Sequence, residues 1–244
     1  MTSKKGNATD LMGQAIWDFY YQNDPQPFYT QTQHSEEEEM EIAYLFRSFN
    51  DMPAIEQKAL RLAKGNVLDI GCGAGSHALY LQETAKLNVT AIDISAKSIE
   101  VAKARGVKNV RLQDVMAITD KQYDTLLLLM NGTGICGTLQ NVSAFLQQLK
   151  KILSPSGQIL IDSSDLIYLF ESDEDEEEGV WIPGDRYYGE LQFETRYKNQ
   201  IGEPFWWLYL DDERLALACE AHGLRLEIIQ EGEHYDYLAR ITHS

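Results

Sequence analysis

The stretch Val67-Leu68-Asp69-Ile70-Gly71-Cys72-Gly73-Ala74-Gly75 decides the fold of this chain. Its apolar residues predict a short buried strand. Its glycines predict a loop whose backbone passes close to a ligand, with no Cβ in the way. A helix predicted to begin near Ser76 adds unpaired N–H groups at the same place. The stretch therefore predicts a strand, a loop and a helix that together bind a nucleotide-like ligand.

A second apolar run, Val89 to Ile94, carries an acid near its end. Asp93 follows Gly71 by 22 residues, and a carboxylate at the tip of the next strand can accept hydrogen bonds from both hydroxyls of a ribose. The dinucleotide-binding fingerprint also combines a glycine loop with an acid at the end of the next strand, but its sixth position is Gly or Ala, where this chain has Ser76. The pattern therefore weighs against a dinucleotide.

An acid-containing strand, a G-x-G-x-G loop and an acid closing the second strand occur together here. Because it has these three features, the chain resembles the class I S-adenosylmethionine-dependent methyltransferases over roughly residues 65–165. The resemblance implies an α/β fold, in which a Rossmann-like, doubly wound, seven-stranded sheet is mostly parallel and has an antiparallel last strand. It also implies S-adenosylmethionine as cofactor and S-adenosylhomocysteine as product.

The resemblance also assigns roles to residues that follow strand ends. The glycine loop would pass beside the methionine part of the cofactor. Asp69 would support that loop or reach the amino group through water, and Asp93 would hold the ribose. Ile94 would pack on the adenine, Asp114 would accept its amino proton, and the Val115 N–H would meet a ring nitrogen. The predicted cofactor-binding residues are Asp69, Gly71, Cys72, Gly73, Gly75, Asp93, Ile94, Asp114, Val115 and Asn131.

Asn131 follows the predicted fourth strand, where family members often place a residue beside the methionine moiety or the acceptor. Family enzymes that methylate exocyclic amines of nucleic-acid bases carry Asn or Asp followed by Pro-Pro-aromatic there, whereas this chain has Asn131-Gly132-Thr133-Gly134. The difference argues against a nucleic-acid base as acceptor. The alternative for Asn131 is a simple turn residue, and the alternative for Asp114 is a strand-end acid that starts a turn.

No catalytic residue is predicted. His77, one residue into the predicted helix, is a candidate general base at neutral pH, although a structural role suits its position better. Aromatic side chains near the N-terminus and after residue 186 would either form a lid over the acceptor or fill cores and interfaces. The candidate substrate-binding residues are Tyr20, Tyr21, Tyr29, His77, Tyr188 and Trp206.

The order of elements predicts two additions to the cofactor-binding domain. Residues 1–60 form a predicted N-terminal helical extension or cap, in which Ser35 and Glu38 satisfy the capping-box pattern of a helix over 35–49. Residues 61–244 form the predicted methyltransferase domain, with an acidic loop and an antiparallel hairpin inserted at about 166–210. Asp211 or Asp212 is predicted to cap the helix after the hairpin.

Composition excludes several classes of function. A net charge of −17 over 244 residues repels a phosphate backbone, so nucleic acid is not an expected partner. The 3 cysteines are widely spaced, which predicts neither disulfides nor a zinc site, and no metal is predicted. No apolar stretch reaches membrane-span length, so we expect a soluble cytoplasmic protein. The acidic runs at 36–41 and 171–178 are solvated surfaces or, alternatively, cation or docking sites.

The sequence favours an S-adenosylmethionine-dependent methyltransferase that acts on a small-molecule acceptor by in-line displacement at the sulfonium methyl. Two alternatives stay open at this point. One is an NAD(P)-dependent oxidoreductase, against which Ser76 argues. The other is a protein that binds S-adenosylmethionine without turning it over. No motif of acyl hydrolases, zinc proteases or nucleotide hydrolases is present.

Overall fold

The structure is a computed structural model that describes residues 10–22, 26–119, 122–170, 186–232 and 235–244. Its N-terminal segment is only partly helical. The elements in chain order are α1 (Leu11–Gln22), β1 (Phe28–Thr32), β2 (Ser35–Met40), two short 3-10 turns (Ile42–Phe46 and Phe49–Asp51) and α2 (Ala54–Leu62).

The remaining chain alternates strands and helices before it turns antiparallel. The first half contains β3 (Asn66–Ile70), α3 (Ser76–Glu83), β4 (Asn88–Asp93), α4 (Ala96–Ala104), β5 (Val110–Leu112), β6 (Tyr123–Leu128), α5 (Val142–Ile152) and β7 (Leu153–Ser164). The second half contains β8 (Glu190–Tyr197), β9 (Gln200–Ile201), β10 (Phe205–Leu208), α6 (Asp212–Ala221), β11 (Leu224–Glu231) and β12 (Asp236–His243).

The central sheet has 7 strands in the order β11-β12-β7-β6-β3-β4-β5. Strands β3 to β7 run parallel to one another, whereas β12 is antiparallel to both β7 and β11. The predicted fold class is therefore confirmed. Strand order reverses at β3, which has β4 on one side and β6 on the other, and ligands of such sheets bind beside this reversal.

The continuous apolar run in β6 explains why this strand is central. Leu126, Leu127 and Leu128 are each 0% exposed. Because successive side chains of a strand point to opposite faces, Leu126 and Leu128 join one apolar layer while Leu127 joins the other. Helices cover both faces, so both apolar layers of the sheet are buried.

Local signals in the sequence account for the helix boundaries. The Ser95 hydroxyl accepts the Ser98 N–H at 3.0 Å and caps α4, and Asp211 Oδ1 accepts the Arg214 N–H at 2.8 Å and caps α6. Gly106 and Gly223 follow these helices with φ of 108° and 62°. The predicted cap of α6 at Asp211 is confirmed.

The predicted helix over 35–49 is wrong. Residues Ser35–Met40 form β2, which pairs antiparallel with β1, and only Ile42–Phe46 is helical, as a 3-10 turn. The Ser35 hydroxyl accepts the Thr32 N–H at 3.3 Å in the hairpin turn instead of capping a helix. A local capping pattern contributes about 1 kcal/mol, and the row of backbone hydrogen bonds to β1 outweighs it.

A second sheet joins segments far apart in sequence. Its order is β10-β8-β1-β2, with β9 also paired to β8. The hairpin predicted near 166–210 is thus present as β8 and β10, and it pairs with β1 of the N-terminal segment. We call these five strands the accessory sheet. The division of the chain at residue 60 stays a prediction.

Strand β5 ends at Leu112, and Asp114 caps a 3-10 turn at Val115–Ala117. All three cysteines, Cys72, Cys136 and Cys219, are buried and unpaired, as expected. Among the described helices none has the length and apolar character of a membrane span. The acidic run at 171–178 lies outside the described residues.

Candidate active site

The glycine loop after β3 is held in one shape by backbone bonds. The N–H groups of Gly71 and Cys72 both donate to the Ile92 carbonyl, at 2.9 and 3.0 Å. Gly71, Gly73 and Gly75 have φ of 76°, 50° and 84°, in the left-handed region that side chains disfavour. A Cβ at Gly73 would meet nothing within 4 Å, so this face of the loop stays open.

Asp93 ties the glycine loop to the next strand. Its Oδ2 accepts the Gly73 N–H at 2.9 Å, and its Oδ1 accepts the Ser95 N–H at 2.8 Å. Burial raises the pKa of Asp93, and these two bonds oppose the rise. The Ser95 hydroxyl donates to Asp10 Oδ2 at 2.6 Å, so the start of α1 is docked above the carboxyl end of β4.

Asp69 is a buried carboxyl group with unused hydrogen-bonding capacity. The residue is 2% exposed, and burial raises its pKa to about 6. The Ala78 N–H bonds to the carboxyl group, but Oδ2 is buried with no partner among the described residues. Buried polar atoms are normally paired. This oxygen therefore fits a donor supplied by a bound ligand, such as an amino group.

The residues predicted around an adenine lie at the ends of β4 and β5. Ile94 is 79% exposed, and Val115 is buried. Asp114 is exposed, and its Oδ1 accepts the Met116 N–H at 2.9 Å. The turn-starting role considered for Asp114 is thus present, and the carboxylate keeps other lone pairs free for a ligand.

The turn after β6 holds two consecutive non-glycine residues in left-handed geometry. Met130 and Asn131 have φ of 66° and 60°. The Asp162 carboxylate accepts the Met130 N–H at 3.0 Å and the Gly132 N–H at 2.9 Å. The Asn131 side chain donates to the Leu208 carbonyl at 3.2 Å. Asn131 is therefore a turn residue that also fastens the accessory sheet to the central sheet.

The N-terminal segment adds a buried charge cluster that sequence reasoning missed. Arg47 and Glu56 form an ion pair with both side chains 5% exposed, and Glu56 Oε2 lies 2.6 Å from His77 Nε2. The pKa of Glu56 is lowered because bonds and charges from His77 and Arg47 outweigh burial, which would raise it. His77 thus contacts Glu56 next to the start of α3.

The other predicted substrate-binding residues do not form one cluster. Tyr20 stacks on Phe46 and Tyr21 packs on Trp17, both on the outer part of α1. The remaining three candidates have partners elsewhere: Tyr29 lies under the Arg196 guanidinium, Trp206 lies under Arg186, and the Tyr188 hydroxyl donates to Asp165 Oδ1 at 2.7 Å.

Trp207, which was not predicted, contacts the loop after β6. A Cβ at Gly134 would lie 2.0 Å from its indole ring, so glycine at 134 lets the ring pack directly on the backbone. Thr133 Oγ1 donates to the Leu208 carbonyl at 3.0 Å nearby. This contact brings the accessory sheet over the carboxyl ends of β6 and β7.

Two surface depressions lie away from these groups. One is lined in part by Lys64, Gln158 and Arg240, and the other by Gln82, Lys86 and Asn109. Both sit near the amino ends of the central strands, opposite Asp69 and Asp93. Neither is lined by Asp69, Gly73, Asp93 or Asn131.

A family model described as "Methyltransferase domain" matches residues 62–201. The chain belongs to this family. An S-adenosylmethionine-dependent methyltransferase from Bacteroides fragilis, solved in complex with S-adenosyl-L-homocysteine, is 44% identical and superimposes with a TM-score of 0.88. The match covers 96% of this chain and 95% of that one. The chain is an S-adenosylmethionine-dependent methyltransferase, and the alternatives of an oxidoreductase and of a non-catalytic binder are set aside.

Two further relatives extend the comparison. The ubiquinone biosynthesis O-methyltransferase of Rickettsia akari is 33% identical over 108 residues, which is 42% of this chain and 41% of that protein's length. The sugar N-methyltransferase KedS8 from Streptoalloteichus is 14% identical, with a TM-score of 0.54 over 78% of this chain and 85% of that one. The second likeness shows the fold alone.

The methyltransferase has a site that suits its cofactor. The open face of Gly73 and the unpaired Oδ2 of Asp69 lie beside the reversal of strand order, where the fold binds ligands. Sequence reasoning missed Arg47, Glu56 and Asp162. Asp162 had a usable signal, because it lies near the end of a strand like Asp93. Arg47 and Glu56 had none, since only the folded chain brings them to His77.

Proposed function

We propose that this methyltransferase transfers the methyl group of S-adenosylmethionine to a small-molecule acceptor by in-line displacement. The observation that carries the proposal is the arrangement at the carboxyl ends of the central strands. On one side of the strand reversal Asp93 accepts the Gly73 N–H and Asp69 Oδ2 has no partner among the described residues, and on the other side Asn131 bonds to Leu208 of the accessory sheet. The two sides belong to β3–β4 and β6, the strands that flank the reversal of strand order.

The donor would occupy the β3–β4 side. Gly71, Cys72, Gly73 and Gly75 would pass beside the methionine part, with Asp69 Oδ2 accepting from its amino group directly or through water. Asp93 would hold the ribose, because each of its oxygens carries one backbone bond and has a further lone pair. The adenine would lie on the exposed Ile94, with Asp114 and Val115 at its edge. Asn131 would border the methionine moiety.

Methyl transfer requires little of the protein beyond alignment of the two reactants. The bound cofactor supplies a methyl group on a good leaving group. The chain's residues must align the acceptor atom with that methyl and exclude water, effects worth several kcal/mol of barrier. The accessory sheet serves this purpose, because Trp207 packs on Gly134 and Thr133 bonds to Leu208 over the strand ends.

A small-molecule acceptor suits this enclosure better than a macromolecule. Strands from the N-terminal segment and from the insertion meet in one sheet, and this sheet bonds to the turn after β6 through Leu208, where it would cover the site. The net charge of −17 also disfavours nucleic acid. An acceptor of metabolite size therefore fits best.

Calorimetric titration with S-adenosylhomocysteine, and with NADH as comparison, tests the donor site. We expect the former alone to bind. Asp93→Ala should weaken its binding by roughly 1 to 3 kcal/mol through lost ribose bonds, and undiminished affinity would remove Asp93 from the site. Transfer of labelled methyl from S-adenosylmethionine to fractionated metabolite pools tests the acceptor class. Label recovered only in protein would contradict the proposal.

A further inference from the structure

The pairing register shows which side chains share a face of the accessory sheet. Directly opposed residues of antiparallel strands lie on the same face, and so do residues two apart along one strand. Phe205 is opposite Phe193, and Trp207 is opposite Leu191. We call the face that carries these four residues the inner face. On β8 and β10 its side chains are Leu191, Phe193, Thr195, Tyr197, Phe205 and Trp207, none of which is charged.

Both ends of the inner face pack on the central domain. At one end Tyr197, with Phe28 of β1 opposite it, belongs to a cluster of buried apolar residues that also contains residues of α1 and Ala74 of the glycine loop. At the other end the Trp207 ring packs on Gly134, where a Cβ would lie 2.0 Å from the ring. The inner face therefore extends over the carboxyl ends of the central strands, from α1 to the turn after β6.

The glycine loop lies between these two contacts. It contributes one residue to the cluster with α1, and a Cβ at Gly71 would lie 3.5 Å from Ile135 Cδ1, next to the glycine that Trp207 covers. Strand β3, which precedes the loop, also lies between β6 and β4 in the central sheet. Phe193 and Phe205 come two residues after the covered Trp207 row, which is about 7 Å along the strand. They therefore face the side of the loop where the methyl donor would bind.

This pair of phenyl rings is only partly covered. Phe205 is 42% exposed, and Phe193 is half-buried. The two rings are nearly parallel, at 17° with centroids 5.9 Å apart, and the Trp207 ring stands at 84° to Phe205. A further flat ring can join such a set by offset stacking or by an edge-to-face contact. Aromatic side chains next to a reaction site commonly supply the apolar part of a ligand site.

We propose that the methyl acceptor is a neutral aromatic compound whose ring lies against Phe193 and Phe205. The proposal rests on the methyl transfer proposed above and specifies its acceptor. Because the inner-face side chains of β8 and β10 are uncharged, they offer no ion pair that would replace the lost hydration of a charged acceptor. A heteroatom on the acceptor ring forms the new bond to the methyl carbon with its lone pair. The C–S bond breaks with its electron pair left on sulfur, and the proton of the heteroatom passes to water.

Binding of three ring compounds to the protein saturated with S-adenosylhomocysteine, followed by ligand-observed NMR, tests the proposal. Benzyl alcohol and cyclohexylmethanol share a substituent and differ in aromaticity, whereas benzylamine is aromatic and charged. We expect benzyl alcohol to bind at least about threefold more tightly than cyclohexylmethanol, through contacts between rings, and more tightly than benzylamine. A smaller ratio to cyclohexylmethanol, equal or tighter binding of benzylamine, or no measurable binding of benzyl alcohol would overturn the proposal.

Variants locate the preference for the aromatic ring. Phe193→Leu and Phe205→Leu should each abolish the preference for benzyl alcohol over cyclohexylmethanol. The matched control is Trp206→Leu, which removes a ring from the opposite face of β10, where Trp206 lies under Arg186. It should leave the preference unchanged. Because Phe205 is exposed, its variant should fold even if Phe193→Leu does not, and unchanged affinity for S-adenosylhomocysteine shows that a variant is folded.

A preference that survives in folded Phe205→Leu, or one that Trp206→Leu abolishes equally, contradicts the proposal. Sedimentation of the wild-type protein examines a different occupant of the inner face. A dimer that Phe205→Leu dissociates would assign the two phenyl rings to a second copy of the chain and overturn the proposal. Failure of the wild-type protein to bind S-adenosylhomocysteine would count against the proposed donor site instead.

Discussion

Gly73 and Gly75 lie two residues apart in the loop after β3, yet one added methyl group should act differently at each. Both have positive φ, 50° and 84°, so alanine at either position costs about 1 to 2 kcal/mol of backbone strain. A Cβ at Gly73 meets nothing within 4 Å. A Cβ at Gly75 would lie 2.8 Å from Val107 Cγ2 and 3.1 Å from Ala102 Cβ, which adds about 1 to 3 kcal/mol of overpacking.

Gly75→Ala should therefore lower the free energy of unfolding by about 2 to 5 kcal/mol, and Gly73→Ala by only about 1 to 2 kcal/mol. Binding should show the opposite order. A methyl group at Gly73 stands where the backbone approaches the cofactor, so we expect at least about tenfold weaker binding of S-adenosylhomocysteine. Gly75 faces Val107 and α4, so the folded Gly75→Ala protein should bind almost normally.

Urea unfolding and calorimetric titration measure the two effects separately, and each variant serves as the control for the other. If Gly73→Ala binds S-adenosylhomocysteine like the wild type, the ligand does not pass over this part of the loop. If Gly75→Ala is no less stable than Gly73→Ala, the contact with Val107 does not limit the size of the side chain at position 75.

Three further changes test the surroundings of the site. The pKa of Asp69 is raised to about 6 in the folded chain, so the folded state holds this proton more tightly than the unfolded state, and stability falls as pH rises from about 4 to about 6. Asp69→Asn should consequently raise the free energy of unfolding by up to about 3 kcal/mol at pH 7 and leave it unchanged below about pH 4. The same change should weaken cofactor binding. Urea unfolding at both pH values checks the stability effect, and equal effects at the two pH values would refute it. Glu56→Gln leaves Arg47 buried without its charged partner, so it should lower the free energy of unfolding by about 3 to 5 kcal/mol in the same assay. The control Glu227→Gln, which breaks an exposed ion pair, should change the free energy of unfolding little. Ser95→Ala removes the cap of α4 and the bond to Asp10, and it should lower the free energy of unfolding by about 1 to 2 kcal/mol. Unchanged protection of the α4 amides from hydrogen exchange would contradict this prediction.

Predictions succeeded where the relevant signal lies in neighbouring residues. The strand and glycine loop from Val67 to Gly75 and the cap at Asp211 each depend on contacts within a few residues. The helix over 35–49 failed for the opposite reason. Ser35–Met40 has a local helix signal, and pairing with β1, itself paired with β8, decides its conformation.

The sequence by itself determined the class of fold and the methyl donor, because the motif that binds the donor is continuous in the chain and its acid is one element away. Only the tertiary structure decided what lies over the strand ends. The N-terminal segment, the turn after β6 and the insertion share no local pattern, and they meet because β1 pairs with β8 and because Asn131 and Thr133 bond to Leu208 of β10. Long-range pairing of this kind leaves no periodic signal in the residues it joins.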